Sequence, residues 1–201
     1  MSMSFNANPS AAPGIGRWAL FVLHWRAKIF LFLGMRASAK LIFQDVLERA
    51  PKDLLALNSL GFGAMHDGNF VLALTYFEPV AALSPEVSNA HFNLAFVCEE
   101  LGRLEDAERS FRAAIAIEDA MDRAWYGLGL VLVRQGRLED AVVALKRNIQ
   151  LQPMSPFGWY QLARVHVDLN QADEALAVIR HLKGFEPKVA AQLERETGWH
   201  V

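Results

Sequence analysis

The feature that most constrains this chain is an internal repeat with a period of 34 residues. The stretch Ala90–Asp119, AHFNLAFVCEELGRLEDAERSFRAAIAIED, is answered 34 residues later by Ala124–Pro153, AWYGLGLVLVRQGRLEDAVVALKRNIQLQP. One more step gives Gly158–Pro187, and one step back gives Ala56–Pro85. Each copy reads as two amphipathic helices joined by a short turn, Leu101-Gly102-Arg103 in the first stretch quoted. A helix pair of this size cannot bury its apolar faces alone, so successive copies must stack on one another. The period therefore predicts an all-α solenoid.

Single positions keep the register. Ala39, Ala73, Ala107, Ala141 and Ala175 fall in phase, as do Phe43, Phe77, Phe111, Leu145 and Ile179. Gly61, Ala95, Gly129 and Ala163 form another small-residue series. Small side chains there let paired backbones approach, and a larger one would overpack the seam at roughly 1–3 kcal/mol. Gly34, Gly68, Gly102 and Gly136 end first helices, where a residue at positive φ closes the turn, and Asn170 takes the fifth such place. The acidic pairs Glu105-Asp106, Glu139-Asp140 and Asp173-Glu174 begin second helices and complement the helix dipole. They read as structural, not catalytic. Two residues depart from the pattern. Arg26 occupies the frame's buried Leu position, so Arg17–Leu33 is not a standard first helix. Pro79 lies inside a second helix and is expected to kink or shorten it.

These positions resemble the tetratricopeptide repeat (TPR) family, whose first helix follows a W-x2-L-G-x2-Y pattern with a later Ala, an aromatic and a terminal Pro. Trp125, Leu128, Gly129, Ala141 and Pro153 match most closely. Trp159, Leu162, Ala163, Ala175 and Pro187 follow, and Leu57, Leu60, Gly61, Ala73, Phe77 and Pro85 precede. His91 replaces the Trp of the remaining unit, ahead of Leu94, Ala95, Ala107 and Phe111. The resemblance covers Lys52–Pro187, and its second-helix half reaches back to Gly34. It implies a right-handed superhelix of antiparallel helix pairs with a concave groove lined by first helices.

Carried over position by position, the groove comprises Asn58 and Phe62, then Asn89, Phe92, Asn93 and Phe96. Arg123, Tyr126 and Leu130 follow, then Phe157, Tyr160 and Arg164. Asn amides can pair with a peptide backbone, and Arg123 and Arg164 can grip a carboxylate. The family's chaperone-tail binders hold a C-terminal carboxylate with five residues. Asn93 and Arg123 fall on two of those places, but Asn58, Phe62 and Gly127 lack the required chemistry on the others. A more apolar peptide or helix is the expected ligand.

The expected organisation is a lead over 1–16, an apolar-basic helix with a partial repeat over 17–51, four repeats over 52–187, and a capping helix with a tail over 188–201. Arg17–Leu33, RWALFVLHWRAKIFLFL, admits three readings. Arg26 and Lys28 near its middle argue against a transmembrane span, at roughly 2.5–3.5 kcal/mol each. A signal peptide would cleave near Ala37-Ser38-Ala39, but the five-fold register explains Ala39 better. The favoured reading is a docking helix for a membrane face or a partner, through Trp18, Phe21, Trp25, Lys28, Ile29 and Phe32, with Arg17, His24 and Lys28 on one stripe.

Residues 1–50 carry six Lys/Arg against Asp45 and Glu48, on a chain whose net charge is −2. No global field therefore favours nucleic acid, and the basic front end stands apart from an acidic body. Lone Cys98 excludes an internal disulfide and fits a reducing, cytoplasmic compartment, with membrane association through 17–33 as the alternative. No nucleotide loop, zinc spacing or nucleophile motif occurs, and His91, His166 and Cys98 read as packed residues. The reading is a non-catalytic scaffold of bacterial style with a protein partner, no metal and no cofactor. The alternatives are self-assembly, with the N-terminal helix of one copy in the groove of another, and a membrane-anchored assembly factor.

Overall fold

Helix pairing buries the apolar stripes that the repeat predicts. The computed structural model describes residues 15–200, and among them lie eleven α-helices and no strand. Of the lead expected over 1–16, residues 1–14 lie outside the described residues. The chain divides into two compact units, residues 1–83 and 84–201.

Unit 1 holds α1 (Arg17–Phe32), α2 (Arg36–Arg49), α3 (Leu54–His66) and α4 (Phe70–Leu83), each packed on the next in chain order. Ala27, Ala39, Phe43, Val46, Ala56 and Leu60 form its buried cluster, and Leu20, Leu23 and Phe30 of α1 pack against it. Ala27 is wholly buried and stands 34 residues before Gly61, so α1 occupies a first-helix slot. Arg26, at the frame's Leu position, stays exposed because no described helix precedes α1 to cover it.

Unit 2 holds α5 (Ser88–Glu100), α6 (Leu104–Ile117), α7 (Asp122–Arg134), α8 (Leu138–Leu151), α9 (Pro156–Asp168), α10 (Ala172–Phe185) and α11 (Pro187–Thr197). Consecutive helices pack together throughout. The first helices α5, α7 and α9 also touch in series, and α11 folds back onto α9.

The register is met at every position of the alanine series, all five fully buried. Phe43, Phe77, Phe111, Leu145 and Ile179 fill the core beside them. The close approach is physical: a Cβ added to Gly61 would lie 2.8 Å from the Phe77 ring, and one on Gly129 2.8 Å from Leu145. First helices close through left-handed residues, Gly34, Gly68, Gly102 and Gly136 at φ +71 to +75° and Asn170 at +57°. The residue after each donates its backbone N–H to a carbonyl five residues back, as Arg103 does to Cys98 at 2.8 Å.

The family's Trp also acquires a local cause. Trp125 donates its indole N–H to the Asp119 carbonyl at 2.8 Å, and Trp159 to Pro153 at 2.8 Å. His91 makes the equivalent contact to Pro85 at 3.0 Å, which explains its tolerance there. Each bond ties a first helix to the turn that leads into it. His166 and Cys98 are buried, with His166 Nδ1 2.6 Å from Gln171 Oε1.

Pro79 does not shorten its helix. α4 runs for 14 residues, as α2 and α6 do. Proline removes one backbone donor, and Phe77 before it with Val80 and Ala81 after it pack the helix into the core strongly enough to hold it. A charged latch joins two repeats of unit 2: Arg137, between α7 and α8, reaches Glu108 on α6 at 2.7 Å and Asp140 at 2.5 Å. Burial alone would raise the Glu108 carboxyl pKa. Hydrogen bonds from Gln135 and Arg137, with the charges of Arg112 and Arg137, outweigh it and hold the group below its ordinary value.

Candidate functional site

In unit 2 the 34-residue register places equivalent residues of α5, α7 and α9 on adjoining helices. Asn89 and Arg123 are exposed at the N-terminal turns, with Phe92 half-buried between them. The Arg123 guanidinium lies 4.4 Å over the Phe92 ring centroid and donates an N–H to Asn89 Oδ1. Phe92 in turn meets the buried Phe111 edge-on at 5.9 Å. The core therefore fixes Phe92, Phe92 fixes the plane of Arg123, and Asn89 fixes its rotation. The side-chain amide of Asn93, half-buried beside Phe96, has no hydrogen-bond partner among the described residues.

Further along, Tyr126 is half-buried, and burial raises its hydroxyl pKa against a hydrogen bond with Gln161, while the nearby Glu99 carboxylate raises it further. Glu99 is itself pushed up by burial, drawn down by Arg134 and pushed up again by Glu100. Arg134 donates to the Glu99 carbonyl at 3.0 Å. Leu130 is half-buried and Phe157 is exposed.

At the far end Tyr160 donates its hydroxyl to Glu196 of α11, which also accepts from Gln192 at 2.7 Å. Arg164 lies 5.9 Å from the Tyr160 ring centroid. The hydrogen bond to Glu196, then burial, raises the Tyr160 pKa, and the same bond lowers that of Glu196. This end of the face already holds a carboxylate, supplied by the chain itself.

Sequence reasoning missed Glu99, Arg134, Gln161 and Glu196. The first two lie one helical turn beyond Phe96 and Leu130 on the same stripe, so the spacing that found those residues could have found them. Glu196 had no such signal, because α11 starts directly after α10 and leaves the 34-residue frame. The absence of a five-residue carboxylate clamp also has a steric cause at Gly127. A Cβ there would lie 2.3 Å from the Phe111 ring, so no cation fits without moving the core.

Asn58 and Phe62 belong to unit 1. Asn58 donates to the Leu54 carbonyl at 2.8 Å, so its amide is partly used by its own helix. Phe62 is half exposed and meets Phe77 edge-on at 5.3 Å.

α1 carries an outward apolar ridge. Trp18 stacks on Phe21 at 5.4 Å, and Phe21 meets Trp25 at 6.2 Å. Ile29 and Phe32 continue the exposed ridge, with Phe32 90% exposed and Lys28 beside it. The expected cationic stripe is incomplete: His24 turns inward and its Nε2 lies 3.0 Å from Asp53 Oδ1, the N-cap acceptor of α3. No helix among the described residues is long and apolar enough to cross a membrane, and none of their His, Cys, Asp and Glu groups is arranged to hold a metal.

Tetratricopeptide repeat models match residues 63–122, 100–156 and 156–181. No curated protein matches the sequence. Among solved structures, YrrB, described as a TPR protein with an unusual peptide-binding site, is 15% identical, covering 86% of this chain and 90% of its own at a TM-score of 0.77. MamA from Desulfovibrio magneticus RS-1 is 21% identical, covering 88% and 96% at 0.73. A tetratricopeptide repeat protein from Parabacteroides merdae is 18% identical, covering 89% and 73% at 0.77. At these identities the likeness establishes the fold.

Proposed function

Because this chain belongs to the tetratricopeptide repeat family, a family of protein-interaction modules, we propose that it is a non-catalytic adaptor holding a peptide or helical segment of a protein partner on the α5–α7–α9 face. The observation that carries the reading is the Asn89–Phe92–Arg123 cluster, in which the guanidinium is oriented before any ligand arrives. A preset Arg fork loses less freedom on gripping a carboxylate than a mobile one. Asn93 adds an uncommitted amide that can pair with a peptide backbone, and Leu130 and Phe157 add apolar contact. Glu196 on Tyr160 supports the same reading, since a carboxylate is already accommodated on that face. YrrB, a relative in fold, is described as having a peptide-binding site.

The test is partner capture from the native host with the full chain and with Asn93→Ala/Arg123→Ala, both first shown folded by circular dichroism. Loss of a partner from the variant alone is expected. Equal capture by both would remove the face from consideration.

The α1 ridge carries a second role: docking on an anionic membrane surface, on the partner complex or on another copy of the chain, in a cytoplasmic setting. Five exposed large apolar residues beside Arg17, Arg26 and Lys28 support it. Deleting α1 is a poor test, because Ala27 and Phe30 pack on the unit 1 core. Trp18→Ser/Ile29→Ser/Phe32→Ser leaves those contacts in place. Size measured across a concentration series should respond to this variant if copies associate, sedimentation with anionic vesicles if the ridge meets a membrane, and partner capture if it meets a partner; no change in all three would dismiss the role.

A further inference from the structure

Each unit has a crevice where two second helices flank a first helix, and the two use different turns of those helices. The one in unit 2, among α6, α7 and α8, encloses about 290 Å³. The one in unit 1, among α2, α3 and α4, encloses about 600 Å³. The unit 1 crevice is bordered by two truncated side chains. Gly63 and Ala64 stand where α7 carries Val131 and Leu132, both buried. Val97 and Val165 fill the Gly63 position in α5 and α9, also buried. A Cβ placed on Gly63 would meet nothing within 4 Å, so the missing side chain leaves open space. Phe43, Leu60 and Leu72 give the enlarged crevice an apolar lining.

Its rim is cationic where no other repeat carries a cation. Arg36 and Lys40, one turn apart on α2, line it. The 34-residue frame puts Phe70, Leu104, Leu138 and Ala172 at the Arg36 position, and Leu74, Glu108, Val142 and Leu176 at the Lys40 position. Arg36 donates to His66 Nε2, and neither cation pairs with a carboxylate among the described residues. Asp67 is the one carboxylate in the lining, exposed at the end of α3. Exposed Phe62 also lines the opening, which makes the crevice continuous with the side of α3 that carries it.

We propose that this crevice is a second binding site, a socket for one large apolar side chain of a protein partner flanked within a helical turn by Asp or Glu. The apolar lining takes the anchor, in a volume within the usual range for ligand pockets. Arg36 and Lys40 take the acidic flank, and Arg can do so with two parallel hydrogen bonds. An anchor seated in a desolvated pocket beside a matched charge is the arrangement that concentrates binding energy at interfaces. The socket lies in unit 1 and uses none of the residues of the α5–α7–α9 face.

The test pans a displayed library of random 12-residue peptides against the full chain, with counter-selection on Gly63→Val. That variant restores the residue of the other repeats and should melt no lower than the parent. Enriched peptides are expected to carry Phe, Leu, Trp or Met within four residues of Asp or Glu. In fluorescence anisotropy they should bind Gly63→Val at least tenfold more weakly. Arg36→Glu/Lys40→Glu, which alters only exposed side chains, should cause a similar loss. Enrichment of neutral or basic peptides, no enrichment, or equal binding to Gly63→Val overturns the proposal. Decanoate serves as a parallel probe. Gly63-dependent decanoate binding without peptide enrichment would assign the crevice to an anionic amphiphile and overturn the peptide reading.

Discussion

The outermost helices of the two units, α1 and α11, solve the same problem in opposite ways. α11 turns Ala190 and Leu193 inward and presents Lys188, Gln192, Arg195 and Glu196 to solvent. α1 buries Ala27 against its unit and presents Trp18, Trp25, Ile29 and Phe32. A repeat array needs a polar outer face where the stacking stops. α11 presents such a face and α1 does not, which supports the docking role proposed for α1. The contrast can be broken at either end.

The largest effect is expected at α11. Leu193 is completely buried where α11 meets its neighbours, so Leu193→Ala should cost about 2–5 kcal/mol. Urea titration would show this as a lower midpoint, with a fall in Tm of roughly 2–4 °C per kcal/mol for a chain of this size. An unchanged midpoint would mean that α11 is an appendage and not a cap. The second effect falls on α1. Ala27→Leu inserts a large side chain into the small-residue seam and should cost about 1–3 kcal/mol. A neutral result would show that α1 is not seated as a first helix, and the contrast with α11 would lose its footing.

That second prediction marks where the sequence was legible. The alanine series, the positive-φ turns including Asn170, and the core aromatics all follow from a 34-residue register. Each position has one steric demand that only a few residue types meet. The slot of α1 was obscured by Arg26, because a charged residue at a buried position normally excludes it. That inference assumes a covering helix, which α1 lacks among the described residues. The shortening expected at Pro79 failed for a related reason, since a local penalty was outweighed by tertiary packing around it. The candidate face was legible as a set of positions but not as a set of contacts. Arg123 over Phe92 follows from adjoining helices in register, whereas Glu196 on Tyr160 depends on where an out-of-frame helix folds. The enlarged crevice needed the structure too, because a helical Gly63 reads as tolerated variation until the space beside it is seen.

A third test sharpens the account of unit 2 through two glutamates of opposite sign. Glu108 has a lowered folded pKa, so its ionised form stabilises the fold above the unfolded value, and that contribution disappears as pH falls through the folded one. Glu108→Gln should therefore destabilise at pH 7 by about 1 kcal/mol or less, given its partly exposed Arg partners. The gap from the parent should close well below pH 4.5, the ordinary value for the group. Glu99 has a raised folded pKa, so its ionisation opposes folding as pH rises from 4.5 through that higher value. Glu99→Gln should leave stability unchanged in acid and raise it at neutral pH. Parallel pH–stability curves for the two variants would remove the Arg137–Glu108 latch from the account of how these repeats hold together.

The smallest expected change is the most informative about α1. Phe32 is 90% exposed and Trp18 76% exposed, so Trp18→Ser/Phe32→Ser removes almost no buried area from the isolated chain. Surface changes of that kind alter stability by about 0.5 kcal/mol or less. Measured at low protein concentration, the variant should melt with the parent. At high concentration the two outcomes diverge. If copies associate through the ridge, the parent gains stability by mass action and its Tm climbs with concentration, while the variant stays flat. If the ridge meets a membrane or a different protein, both curves stay flat in purified solution, and anionic vesicles or the captured partner must raise the parent alone. A variant that melts well below the parent at every concentration would mean that Trp18 and Phe32 are covered within the single chain. The contrast between an open α1 and a closed α11 would then be wrong.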